Sequence, residues 1–116
     1  MTALQLQRTP NGLEGIRLPL NSYKTFVPLR DIIRLEGQRN YTLFVLKSGH
    51  RILVSKTIKV YELLLPANFI RVNRGCIINI TYVDFSFNGN FRLKDGYKIP
   101  VSRRNVKRLE ALRPAA

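Results

Sequence analysis

The chain has 116 residues, of which 45% are hydrophobic, and this is enough for one domain with a hydrophobic core. Its 20 Lys and Arg residues against 7 Asp and Glu residues give a net charge of +13, which is typical of proteins that bind nucleic acid or an anionic membrane surface. The single cysteine excludes an intrachain disulfide, and no apolar run approaches the roughly 20 residues of a membrane span.

The first half of the chain predicts short β-strands. Residues 1–15 are polar, contain the turn signal Pro10-Asn11-Gly12 and are predicted to form a flexible N-terminal arm. Residues 16–116 are predicted to form one domain. Turn residues separate its short runs of strand-forming residues. The predicted strands are 16–20, 24–27, 31–36, 41–46 and 51–54, the last three as an antiparallel meander.

A central helix follows these strands. Apolar residues recur at helical spacing from Ile58 to Leu65. Ser55 or Thr57 can cap the start of this helix, and Pro66 ends it.

The stretch from Phe69 to Ile80 places two arginines and a glycine between apolar residues that would otherwise form a buried strand. Because charged groups are rarely buried without a partner, Arg71 and Arg74 are predicted to project at a turn. Gly75 permits a positive φ, which suits a sharp bend between two short strands.

The segment after this turn alternates apolar and polar residues. It predicts strands at 82–87, 91–94 and 97–101. Asn88-Gly89 and Asp95-Gly96 are typical hairpin turns and are predicted to join these strands.

A second helix is predicted at the C-terminus. Ser102 is its expected N-cap, and Val106, Leu109 and Leu112 form one apolar stripe. The opposite face is basic and carries Arg103, Arg104, Lys107 and Arg108. The predicted fold class is therefore mainly β, an elongated antiparallel β-sheet domain with one central helix and a short C-terminal helix.

The residues argue against an enzyme. His50 is the only histidine, and Cys76 has no histidine near it in sequence. No carboxylate pair suited to acid–base work and no phosphate-binding glycine motif is present. We therefore predict no catalytic residue, no metal, no cofactor and no small-molecule substrate.

Polar and basic residues gather instead at three predicted turns, 38–41, 73–75 and 102–105. Arginine presents a rigid fork of donors to a phosphate or to the edge of guanine, and asparagine can address adenine in the same groove. Any one of these clusters is most simply interpreted as a solvated charged face. Three of them in a chain of this charge favour nucleic acid.

The order of these motifs resembles the LytTR DNA-binding domain, which is found at the C-terminus of many bacterial response regulators. The most specific block is 69–79, where the family pattern is phenylalanine, any residue, arginine, valine, histidine, arginine, serine, an aromatic residue, two aliphatic residues and asparagine. Asn73 stands in place of the usual histidine, and Gly75 in place of the usual serine. The resemblance covers roughly residues 16–112, and its other matching segments are 26–36, 37–46, 54–63 and 99–104.

The resemblance implies sequence-specific binding of double-stranded DNA by a cytoplasmic bacterial transcription regulator of a two-component system. It implies that loops of the domain enter successive major grooves and that the DNA is bent. It also implies that the DNA sites are paired direct repeats, which two chains occupy as a homodimer. Carried over by position, the base-contacting candidates are Asn40, Tyr41, Asn73, Arg74 and Arg104. The phosphate-contacting candidates are Arg39, Arg71, Ser102, Arg103, Lys107 and Arg108.

Alternatives are open from the residues alone. Arg71 could be an internal structural arginine. The chain could be a small β-barrel that binds RNA or single strands by stacking bases on Tyr23, Tyr41, Tyr97 or phenylalanines. It could also be a membrane-surface protein acting through the amphipathic segment 102–112. We predict no membrane partner, because docking on a sheet explains that short apolar stripe more simply.

Overall fold

The computed structural model describes residues 6–85 and 91–113. Short 3-10 turns lie at Leu29–Asp31 and Ile80–Tyr82. The strands and helices in chain order are β1 (Leu6–Arg8), β2 (Glu14–Leu18), β3 (Thr25–Pro28), β4 (Ile32–Gln38), β5 (Tyr41–Leu46), β6 (Arg51–Val54), α1 (Ile58–Leu64), β7 (Phe69–Asn73), β8 (Cys76–Asn79) and α2 (Arg103–Glu110).

The strands form two antiparallel sheets. The smaller sheet has the order β1-β2-β3, and the larger has the order β6-β5-β4-β8-β7. The molecule measures 43 × 34 × 25 Å along its principal axes. The predicted fold class, a mainly β, elongated antiparallel domain with one central and one C-terminal helix, is confirmed.

The five-stranded sheet buries a separate apolar cluster on each face, because alternate residues of a strand point to opposite sides. In β8, Ile77 belongs to one cluster, whereas Cys76 and Ile78 belong to the other. The first cluster is covered by the smaller sheet and by α1, with Ile58 and Tyr61 buried. The second is covered by residues 83–85 and 91–101 and by α2, which contributes the buried Leu109. The buried members from the other covering segments are Val83, Leu93 and Ile99.

A β-bulge in β4 decides where one charged residue lies. The register with β5 shifts between Ile32 and Arg34, so an extra residue stands on the β4 side of the ladder. Arg34 consequently lies on the same face as Ile33 and is only 3% exposed. Its guanidinium binds Glu36 and Asp95 and lies over the ring of Tyr97.

Residues 6–8 and 14–15 lie in paired strands of the smaller sheet, although an N-terminal arm is expected there. β1 pairs antiparallel with β2, from Leu6 opposite Ile16 to Arg8 opposite Glu14. The predicted turn closes this hairpin, since Gly12 has a φ of +88° and its N–H donates to the carbonyl of Thr9 at 2.8 Å. The expected boundary between residues 15 and 16 therefore falls inside β2.

In the described residues 82–85 and 91–101, the predicted strands are reduced to isolated bridges, Val83 with Leu93 and Arg92 with Lys98. The apolar residues of these two stretches pack on one face of the larger sheet and belong to the second cluster. Gly96 does form a turn, with a φ of +93°. The predicted turn at Asn88-Gly89 lies outside the described residues.

Candidate nucleic-acid interface

Two of the three predicted clusters lie at the same end of the larger sheet. β4 and β8 pair with Glu36 opposite Cys76, and the Gly37 N–H donates to the carbonyl of Gly75 at 2.8 Å. The β4–β5 turn therefore lies beside the β7–β8 turn. Its residues, Arg39, Asn40 and Tyr41, are all exposed.

Arg39 has a φ of +59°, in the left-handed region that non-glycine residues rarely adopt. The turn has two residues, because Gln38 pairs directly with Tyr41. This geometry holds the Arg39 and Asn40 backbone at the tip of a tight hairpin. Both predicted contact residues are thus presented on a short turn fixed by two paired strands.

Arg71 does not project from the second turn, contrary to the expectation from sequence. Its guanidinium donates to Glu62 of α1 at 2.6 Å and to the carbonyls of Asn73 and Arg74. Arginine has five donors in a fixed fork, so one side chain can join a helix to two carbonyls of a turn. In the described residues, Arg71 therefore stabilises the turn, which agrees with the alternative interpretation of Arg71 as an internal structural arginine.

The turn itself bends without the glycine conformation predicted for it, since Gly75 has no positive φ. A register shift between Arg71 and Asn73 supplies the bend, and the Asn73 Oδ1 accepts the N–H of Gly75 at 2.8 Å. An added Cβ at Gly75 would lie 3.8 Å from its nearest neighbour, which is ordinary contact. Arg74 lies at the tip and is exposed.

The start of α2 is tied to the end of β7. The Ser102 N–H donates to the carbonyl of Val72 at 3.0 Å, and the Asn105 Nδ2 donates to the same carbonyl at 3.1 Å. The Asn73 Nδ2 donates to the carbonyl of Pro100. Ser102 occupies the N-cap as predicted, but its hydroxyl accepts from Asn105 at 2.8 Å and caps no backbone N–H. The third predicted cluster thus lies beside the second.

The basic residues of α2 divide between two sides of the helix. Arg104 and Arg108 line a groove of about 480 Å³ whose other walls include Arg71 and Arg74. Arg103 and Lys107 are also exposed, but they do not line this groove.

Only part of the predicted apolar stripe on α2 is buried. Leu109 is fully buried in the second cluster. Val106 and Leu112 are 38% and 44% exposed. Eight helical residues offer the sheet little more than two turns, so one side chain anchors the helix.

The charges of the chain are distributed unevenly. Each of its seven acidic side chains forms an ion pair with an Arg or Lys. Within the ranges 6–85 and 91–113, several cations of the three clusters have no hydrogen bond or ion pair to protein. These cations are Arg39, Arg74, Arg103, Arg104, Lys107 and Arg108. The excess charge of the protein is therefore available to an anionic partner at this end of the sheet.

No feature of the described residues provides a catalytic or metal site. Burial raises the pKa of the Cys76 thiol to about 12, so the thiol is protonated and a poor nucleophile at neutral pH. His50 is exposed and contacts Ser48. Within the described ranges, no three His, Cys, Asp or Glu side chains are grouped as metal ligands, and no helix is long and apolar enough to cross a membrane.

The sequence analysis does not single out Glu62, and it includes Asn105 in the third cluster without predicting its role. Glu62 holds Arg71, and Asn105 joins α2 to β7. An asparagine three residues after an N-cap serine is a signal for Asn105, because that spacing is the one used by a capping box. No comparable local signal exists for Glu62, whose partner comes from the following strand.

Known proteins resemble this chain in sequence and in structure. The family model described as the LytTr DNA-binding domain matches residues 23–113. The Sensory transduction protein LytT of Bacillus subtilis (strain 168) is 34% identical over 112 residues, which cover 91% of this chain and 46% of that protein. A solved LytTr DNA-binding domain from Bacillus cereus has a TM-score of 0.63 at 19% identity, with 97% of each chain covered.

The family match places this protein in the class of small DNA-binding domains, which is not a class of enzymes. Within that class, the chain belongs to the LytTR family. It spans about half the length of the curated relative that it matches.

Proposed function

We propose that the chain binds specific sequences in double-stranded DNA and serves as the DNA-binding part of a bacterial transcription regulator acting in the cytoplasm. The observation that carries this proposal is the convergence of three basic clusters at one end of the larger sheet, while every acidic side chain is already paired. The family of the chain and its resemblance to a sensory transduction protein support the regulatory role.

In this proposal, the exposed tips of the three clusters enter the major groove and read bases. Asn40 and Tyr41 are the readers in the first turn, Arg74 in the second and Arg104 in the third. An arginine that is free of protein partners can form two hydrogen bonds to guanine, each good pair contributing about 1–3 kcal/mol of discrimination. Two chains on directly repeated sites would present these tips to successive grooves.

Phosphate contacts would surround these readers and fix the orientation of the domain. Arg39, Arg103, Lys107 and Arg108 are exposed and suited to this role, and the half-buried Ser102 lies at the start of α2. Arg71 already donates to Glu62 and to two carbonyls, so we propose that it acts by holding Arg74 in place.

Selection of bound duplexes from a randomised DNA library at near-physiological salt tests the proposal. We expect enrichment of a short motif, repeated in the same orientation about one helical turn apart. Tight binding without enrichment, lost steeply with salt, would contradict sequence-specific reading and leave a purely electrostatic association.

Replacing Arg108 by alanine is expected to weaken binding to all duplexes alike. Arg108 lines the groove but lies one turn along α2 from Arg104, where a phosphate contact is the expected role. Loss of one such contact should reduce the slope of log K against log salt concentration by about one unit. The matched control is Arg51→Ala, at the exposed start of β6 and the opposite end of the sheet, which should leave the slope unchanged.

Replacing Gly75 by serine, the usual family residue, is expected to raise affinity for all duplexes. The position has space for a side chain and no positive φ, so the free energy of unfolding should change by less than about 0.5 kcal/mol. A new hydroxyl at the exposed turn can donate to a phosphate, for a gain of about 0.5–1.5 kcal/mol. Titration of a random duplex measures this gain, and unchanged affinity would place Gly75 away from the DNA backbone.

The alternative of an RNA- or single-strand-binding protein has less support. Such proteins stack bases on exposed aromatic side chains. Among the aromatic residues in the described ranges, Tyr41 alone is exposed. Tyr97 is covered by the Arg34 guanidinium, 3.6 Å from the ring centroid, and Tyr23 is half-buried. Competition between duplex DNA and single-stranded RNA distinguishes the two functions.

A further inference from the structure

The side chain of Asn73 is engaged with protein on both of its polar atoms. The Oδ1 accepts the N–H of Gly75 at 2.8 Å, and the Nδ2 donates to the carbonyl of Pro100. An asparagine that reads adenine must offer its donor and its acceptor together to one base edge. Each atom keeps one further donor or acceptor position, but the two contacts already hold the amide between the turn and residue 100. Its position in the turn therefore favours another role than base reading.

The side-chain amide of Asn105 is also hydrogen-bonded to protein, at the contact between α2 and the end of β7. Its Nδ2 donates to the carbonyl of Val72 at 3.1 Å and to the hydroxyl of Ser102 at 2.8 Å, which uses both N–H donors of one amide. The Ser102 N–H donates to the same Val72 carbonyl at 3.0 Å. These bonds occupy the end of an edge strand that would otherwise expose unpaired backbone groups.

The two amides act on neighbouring parts of the chain. Asn73 joins the β7–β8 turn to residue 100, and Asn105 joins α2 to residue 72. Arg74 immediately follows Asn73 in the turn, and Arg104 immediately precedes Asn105 in the helix. The two bonds therefore connect the segments that carry the two exposed arginines of the groove.

We propose that Asn73 and Asn105 form an amide clamp that fixes the spacing between Arg74 and Arg104, and that neither asparagine reads a base. The clamp rests on the proposed function, since spacing matters only if the two arginines read one DNA site. It makes Asn73 and Asn105 positioning residues for sequence recognition. The base identity preferred at each position is then set by the arginines and by the first turn.

The test uses Asn73→Ala, Asn105→Ala and the double variant, with affinity measured for the site selected by the wild type and for a random duplex. Each single variant is expected to bind the selected site about 5- to 20-fold more weakly. The affinity of the double variant for the selected site should be little lower than that of the more impaired single variant, because both substitutions open the same clamp. Affinity for the random duplex, the salt slope and the selected motif should all stay unchanged.

Asn68→Ala is the matched control. Asn68 donates from its side-chain amide to Asn79 at 3.3 Å, near the start of β7 and the opposite end of the sheet. It should lose a comparable hydrogen bond without any change in the affinity for either duplex. Urea unfolding of all variants separates loss of stability from loss of recognition. If Asn105→Ala is too unstable to assay, Asn73→Ala, at the protein surface, carries the comparison with the control.

Each of the following outcomes would overturn the clamp. An Asn73→Ala motif with relaxed preference at one base position would make Asn73 a base reader. Additive losses in the double variant, or equal losses on the selected and random duplexes, would remove the shared positioning role. If the wild type selects no motif, the proposed function fails and the clamp fails with it, whereas a wild-type motif bound equally by the variants overturns the clamp alone.

Discussion

Replacing Arg34 by methionine is expected to lower the free energy of unfolding by about 2–4 kcal/mol, although the residue lies outside the proposed DNA-binding surface. Its side chain is 3% exposed and donates to Glu36 at 2.8 Å and to Asp95 at 3.1 Å. The guanidinium lies 3.6 Å from the centroid of the Tyr97 ring. The substitution leaves the carboxylates of Glu36 and Asp95 without their cation. Because both carboxylates are partly exposed, the expected loss of stability is smaller than for a fully buried ion pair.

Urea unfolding measures this effect through the midpoint and slope of the transition. The matched control is Lys47→Met, whose ion pair with Asp31 lies on the surface with 55% of the lysine side chain exposed. A surface pair of this kind contributes about 0–1 kcal/mol. If Arg34→Met is as stable as the wild type, apolar packing has replaced the ion pairs, and Arg34 is not required to hold residues 95–97 on the sheet.

The environment of Arg34 shows where sequence reasoning reaches its limit. The apolar neighbours of Arg34 correctly predict a strand, which the structure places at Ile32–Gln38. Its burial depends on the bulge in β4 and on Asp95, a partner 61 residues away. No local pattern encodes either feature, because a one-residue register shift exchanges the two faces of a strand.

Elements with local signals were predicted well. The strands Tyr41–Leu46 and Arg51–Val54 have the predicted bounds, since turn residues flank both runs and alternate residues are buried. The Pro10-Asn11-Gly12 signal correctly predicts a turn, but the polar residues on either side of it suggest an arm and not the hairpin that the structure shows. Leu6–Arg8 is short and largely polar, and it becomes a strand only because β2 offers it a pairing edge.

The residue types of the candidate site could be predicted from the sequence, but their arrangement in space could not. The three clusters are visible in sequence because arginine, asparagine and glycine interrupt apolar runs there. Their convergence depends on the pairing of residues 36 and 76 and on hydrogen bonds from residues 102 and 105 to residue 72. Contacts with Glu62 and with the carbonyls of Asn73 and Arg74 turn Arg71 inwards, which residue type alone could not decide.

Replacing Arg104 by alanine is expected to weaken binding to the selected DNA site by about 1–3 kcal/mol more than binding to a random duplex. Arg104 is exposed, lines the groove together with Arg74, and its guanidinium forms no hydrogen bond or ion pair with protein in the described ranges. Its whole fork of donors is therefore free for one base edge. Loss of a base contact removes discrimination, whereas loss of a phosphate contact weakens all duplexes alike.

The neighbouring Arg103 provides the control for this measurement, because it has the same side chain and charge on α2 but does not line the groove. Arg103→Ala should weaken both duplexes to a similar degree and reduce the salt slope by about one unit. Titration of both variants against both duplexes at several salt concentrations gives the four affinities that are needed. If the two variants behave alike, Arg104 contacts phosphate and sequence reading falls to the two turns. If Arg104→Ala alone loses discrimination between the two duplexes, α2 contributes a base-reading residue in its first turn, two positions after the N-cap Ser102.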